Sequence, residues 1–175
     1  IVNQICGDSQ LTIQGSPTLQ FPPEDSAGFI TDEGIDLTFT KEEPEDHVYS
    51  VQIGFAEDFL LKPEYVFDQD AGFTYMEHDG TENMINGSAS GGLLKFTACE
   101  ITERDGFTDS PMVVQLAGKA SGMLDLAESP SGNVWSMEFT MGFNAMAMTL
   151  WSGESPLLEN LEAECLGGRN YTPSP

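Results

Sequence analysis

Apolar and polar side chains alternate along most of this chain, and a period of two fits β-strands with one buried face. Ile35, Leu37 and Phe39 alternate with Asp36, Thr38 and Thr40, and Tyr49, Val51, Ile53 and Phe55 resume the pattern. The turn-like Lys41-Glu42-Glu43-Pro44-Glu45-Asp46 lies between them, so the segment reads as a hairpin with an acidic loop. Tyr65-Val66-Phe67 and Phe73-Thr74-Tyr75 flank Asp68-Gln69-Asp70-Ala71-Gly72, a second hairpin with a five-residue loop. Gly91-Gly92 precedes a strand through Leu93, Leu94, Phe96 and Ala98, and Val113 to Leu126 continues with Gly118 and Gly122 inside the pattern. Glycines there point to bulges or close sheet packing.

After the turn Ser129–Asn133, Trp135, Met137, Phe139, Met141 and Phe143 alternate without a break. At Gly142–Asn144 the phase slips, and Met146, Met148 and Leu150 carry it on. A one-residue slip exchanges the buried and exposed faces, so a β-bulge is expected there. The methionines are spaced as core side chains filling irregular gaps rather than as soft-metal ligands.

Helix signals are few. Ser155–Glu164 is the best candidate, with Ser155 as N-cap, Pro156 at the first helical position and Gly167 as the stop. Glu57–Lys62 is long enough for one turn. The expected fold is therefore all-β: an antiparallel β-sandwich or jelly-roll-like structure of about nine strands, with one short C-terminal helix. Residues 8–168 form its single domain, with an extended arm at 1–7 and a proline-bearing tail at 169–175.

Twenty-nine acids against six basic residues give a formal charge of −23. Such a surface repels nucleic acid and anionic membranes and offers oxygen ligands to hard cations. No apolar run approaches the roughly 20 residues of a spanning helix, so membrane insertion is not expected. The opening Ile1-Val2-Asn3, without Met, is expected to follow removal of a leader, which places the chain in a secreted or cell-surface setting. The sequons at Asn86 and Asn170 agree with that setting.

Three widely spaced cysteines with no C-x-x-C do not make a zinc site. A Cys6–Cys165 disulfide tying the two ends together is the leading pairing, with Cys99 the alternative partner. Three separate thiols would be the arrangement in a reducing compartment.

Catalytic motifs are absent or unspecific. The hydrolase elbow G-x-S-x-G does not occur, and Gly87-Ser88-Ala89-Ser90-Gly91 carries its serines at the wrong places. His47 sits among Glu42, Glu43, Glu45 and Asp46, whose charge favours the imidazolium and not a base, and it reads as a solvated loop residue. A glycoside hydrolase with paired carboxylates is the remaining enzymatic alternative, and a pair of acids among 29 carries little information. The strongest site reading is Ca²⁺ held by Asp68, Asp70, Glu77 and Asp79 around one hairpin. The spacing is not an EF-hand, because position six of that loop would be Phe73 instead of glycine. Solvated acidic turns are the competing reading.

The arm carries Ile1, Val2 and Ile5 between polar residues, a pattern able to add a strand to a neighbouring subunit's sheet edge. Such subunits stack head to tail into open polymers.

The middle of the chain carries a family likeness. Gly54-Phe55, Lys62-Pro63-Glu64-Tyr65, Ala89-Ser90-Gly91-Gly92-Leu93-Leu94-Lys95-Phe96-Thr97 and Leu116-Ala117-Gly118-Lys119-Ala120-Ser121-Gly122-Met123-Leu124 resemble short strand motifs of uncharacterised secreted or lipid-anchored β-rich bacterial proteins. The similarity covers roughly residues 50–126. Glu64 replaces the glycine usual before Tyr65, Ala120 stands where Phe is usual, and Cys6 is not an N-terminal lipid-accepting cysteine. The resemblance implies a secreted β-sandwich and supplies no catalytic residues. Together these features lead to an exported, non-enzymatic structural subunit that assembles with its own copies by strand donation. A calcium-assisted module binding a glycan or surface ligand is the alternative.

Overall fold

The computed structural model describes residues 7–31, 34–55, 64–103 and 113–149, with Glu159, Cys165, Arg169 and Asn170. Eleven strands follow in chain order: β1 Ser9–Ile13, β2 Leu19–Phe21, β3 Ser26–Thr31, β4 Gly34–Glu43, β5 His47–Phe55, β6 Glu64–Val66, β7 Ala71–Asp79, β8 Met84–Glu103, β9 Val113–Ser129, β10 Val134–Thr149 and β11 Arg169–Asn170. The fold is all-β, as the alternation predicts. The strands β3-β4-β5-β7-β8-β9-β10 close on themselves, β10 returning to β3, and form a seven-stranded barrel with extra strands attached. Two packed sheets were the expectation. Period-two alternation is the same in a sandwich and in a barrel, so the sequence pattern could not distinguish them.

Closure depends on the length of β8, β9 and β10. Strand β8 runs for 20 residues and slips register against β9 between Ala89 and Gly91, Phe96 and Ala98, and Ile101 and Glu103. Each extra residue bends and twists the strand, which lets a long sheet coil around a core. The Gly91-Gly92 doublet thus directly follows a bulge at Ser90 within β8 and is not the start of a strand. Gly92 has φ +131° and faces Gly122 on β9, where a Cβ would stand 2.2 Å from the Gly91 carbonyl oxygen.

The remaining strands attach at the margins. β1 pairs with the first half of β10 and carries β2 on its other side, adding Leu11, Ile13 and Phe21 to the core. β6 pairs with β8 instead of forming the expected hairpin with β7, and touches that strand only through an isolated Phe67–Ala71 bridge. Arg169 and Asn170, expected in a tail, pair with Cys99 and Ala98. The barrel interior is filled by rings: Phe73 stacks on Phe139 at 4.4 Å between centroids, and Phe143 meets Phe39 and Phe96 edge-on at 6.1 Å.

Two expectations change. β10 has no bulge: its register with β9 is continuous from Val134 to Met148. Phe139, Met141, Phe143, Ala145 and Ala147 all face inward, so Met146 and Met148 point out. Small alanines carry the buried phase where methionines were expected to. The disulfide joins Cys99 to Cys165, with their Cα atoms 5.3 Å apart and both residues fully buried. The leading Cys6–Cys165 pairing is therefore replaced by its alternative; Cys6 lies outside the described residues. So does the expected helix Ser155–Glu164, apart from Glu159, and so does Glu57–Lys62.

Candidate binding face

The four acids expected to share a calcium ion are not brought together. Asp68 and Asp70 lie in the turn before β7, while Glu77 and Asp79 lie at its far end. The run of strand from Ala71 to Glu77 keeps even the nearest members of the two pairs, Asp70 and Glu77, about 20 Å apart. Among the described residues no cluster of three or more His, Cys, Asp or Glu could hold a metal ion. Asp79 instead shapes the β7–β8 turn, accepting hydrogen bonds from the Thr81 amide and from Asn83 Nδ2 at 2.9 Å and from the Thr81 hydroxyl. Those donors hold its carboxyl down at about 2.

Glu77 has a different task. One carboxylate oxygen meets His47 Nε2 at 2.9 Å, and the other accepts a hydrogen bond from the Tyr75 hydroxyl at 2.9 Å. His47 is the first residue of β5, not a loop residue, and it stacks on Tyr49 with 4.6 Å between centroids. All four side chains continue the inward phase of β5 and β7, and they close one end of the barrel with satisfied polar groups. Burial, and then the Glu77 charge, pushes the Tyr75 hydroxyl far above its usual value; Tyr49 is raised for the same two reasons. Both Glu77 oxygens are engaged in this arrangement, which makes it a structural seal.

Of the other expected site residues, Asn86 is exposed on β8 and Asn170 lies on β11. Ile1, Val2 and Ile5 fall outside the described residues.

The distinctive surface is the outer face of β8, β9 and β10. Outward positions along β10 run Glu138, Thr140, Gly142, Asn144, Met146, Met148. At its polar end lies a shallow groove of about 360 Å³, lined by Asp8, by Gln10 and Thr12 of β1, Lys119 of β9 and Thr97 of β8, with Thr140 and Gly142 as its floor. A second depression, of about 440 Å³, adjoins it and adds Lys95. Lys95 and Lys119 are directly paired across β8 and β9, both exposed. Like charges in register repel, yet two of the chain's six basic residues meet here. Lys95 is shared with Glu64 of β6 at 3.1 Å, and among the described residues Lys119 has no carboxylate partner.

At the other end of β10 the same face turns apolar. Met146 and Met148 are 48% and 41% exposed, and Phe29, paired with Met148 across β3, is 43% exposed. Sequence reasoning missed this face. The scarcity of basic residues was the available signal for Lys95 and Lys119, but their meeting depends on a bulged register that the sequence does not display. Comparison with protein-family models, with curated proteins and with solved structures finds no match to this chain.

Proposed function

We propose that this chain is an exported, non-enzymatic structural subunit that assembles with further copies of itself into an extracellular or cell-surface filament or matrix. The observation that carries the reading is the outer face of β10 and its neighbours, where Met146, Met148 and Phe29 of β3 stand exposed at one end and the paired Lys95 and Lys119 lie towards the other. A contiguous apolar strip on the surface of a chain with charge −23 marks a contact surface better than a solvated one. Strand donation by Ile1–Ile5 belongs to the same proposal, with β2 as acceptor. Among the described residues this strand ends the sheet, and its inner side chains Leu19 and Phe21 pack on the core. A three-residue edge offers few main-chain groups, so the apolar strip supplies the larger part of the contact.

Light scattering and negative-stain imaging test this on the wild type, a variant lacking residues 1–6, and Met148→Asp, each with Ca²⁺ and with chelator. Regular assemblies lost in Met148→Asp support the face, and loss on truncation supports strand donation. A monodisperse monomer from the wild type under every condition contradicts the proposal.

A further inference from the structure

We infer that the Lys95–Lys119 groove receives the acidic β4–β5 hairpin tip of a second copy. The inference rests on the assembly reading above and names its polar contact.

The groove has three features of a receptor for paired carboxylates. Lys95 and Lys119 occupy directly opposed positions, which places their Cβ atoms about 5 Å apart on one face. Their ammonium groups are exposed, and among the described residues only Lys95 has a carboxylate neighbour. The floor beside them is open: a Cβ added at Gly142 would meet no atom within 4 Å, so packing does not require glycine there. Thr97 supplies a hydroxyl on the wall and Thr140 one on the floor, while the Thr12 hydroxyl is bonded to that of Thr18 and Asp8 adds one carboxylate to the lining.

The chain itself carries the complementary group. Glu42, Glu45 and Asp46 are exposed around the β4–β5 turn, and Glu45 and Asp46 both have positive φ, 69° and 60°. The tip is backed by the neighbouring β7–β8 turn, where a Cβ on Gly80 would stand 2.1 Å from the Glu45 carbonyl oxygen. This close backing fixes the turn backbone that carries the two adjacent acids, which lowers the ordering cost of binding. Tip and groove are different surfaces of one molecule, so the contact is heterologous and propagates from copy to copy, into a ring where the rotation closes and an open chain where it does not.

Charge predicts a two-sided salt response. Two bodies of charge −23 repel over about 30 Å at about 0.01 M salt, and that repulsion is largely screened at about 0.15 M. At about 1 M the lysine–carboxylate pairs are screened as well. Association should therefore be strongest at intermediate salt, whereas a purely apolar contact would strengthen throughout.

Sedimentation velocity of the full chain across that salt range tests the pairing with Lys119→Glu, Glu45→Lys and the double variant. Each single change is expected to weaken association about tenfold or more, and the double to recover most of the loss. Gly142→Gln, which fills the floor with both charges left intact, should also weaken association, with an unchanged unfolding midpoint as the check on folding. A double variant as weak as its parents, or association rising steadily to about 1 M salt, overturns this contact while the assembly reading stands. A wild type monomeric at every salt concentration overturns both.

Discussion

The barrel has two kinds of seam. Between β9 and β10, fifteen consecutive antiparallel pairs run from Val134–Ala127 to Met148–Val113. Between β3 and β10 only three parallel pairs close the ring, Ala147–Gly28, Met148–Phe29 and Thr149–Ile30. The long seam joins strands that follow each other in sequence through one turn, so its loop-closure cost is small. The short seam joins residues far apart in the chain and uses the less stable ladder. It depends on close approach: a Cβ on Gly28 would sit 2.7 Å from the Met146 carbonyl oxygen and 2.8 Å from the Ala147 Cα. The exposed apolar residues Phe29, Met146 and Met148 cluster beside this short seam. The closure and the proposed contact surface therefore share one region, and a neighbouring copy covering it would also buttress the barrel.

Changes of decreasing size separate the two seams. Cys99→Ser removes the link to Cys165 across 66 residues of sequence, and should cost about 4 kcal/mol in urea unfolding without reductant. A loss of less than about 1 kcal/mol would mean that the β8–β9 ladder holds this end of the barrel without the link. Gly28→Val should cost about 3 kcal/mol by forcing β3 from β10, while Gly142→Val, on β10 and facing open space, should stay within about 0.5 kcal/mol. Equal costs at the two positions would refute the contrast between the seams. Tyr75→Phe removes one donor from Glu77 at the barrel end and should cost about 1 kcal/mol, measured in the same way.

The smallest effect concerns pH. The Asp79 carboxyl is depressed in the folded chain from 3.8 to about 2. Its contribution is thus fully present above about 4 and is lost as pH falls through about 2. Asp79→Asn should flatten the acid limb of stability between those values. An unchanged limb would show that the Thr81 and Asn83 bonds do not form in solution.

Much of the strand content was legible. The inward residues Ile35, Leu37, Phe39, Val51 and Ile53 lie where the alternation placed them, because large apolar side chains on one face dominate the pattern. β10 was misread past Gly142 because apolarity alone was followed: Ala145 and Ala147 are small and buried, and Met146 and Met148 are large and exposed. Closure was not legible, since three parallel pairs at Gly28 leave no periodic signature. The calcium set failed through strand geometry: acids near in sequence were carried to opposite ends of β7. Lys95 and Lys119 meet only through the bulges of β8, whose extra residues fix which positions oppose each other.

Hydrogen exchange followed by mass spectrometry, on dilute and concentrated protein at about 0.15 M salt, tests most directly whether the short seam is the contact surface. Amides of β3 and of Ala147–Thr149 should gain protection on concentration, while those of Ala71–Tyr75 in β7, across the barrel and away from the β4–β5 tip, should not change. Protection gained at Ala71–Tyr75 with none in β3, or no change anywhere, would contradict the account.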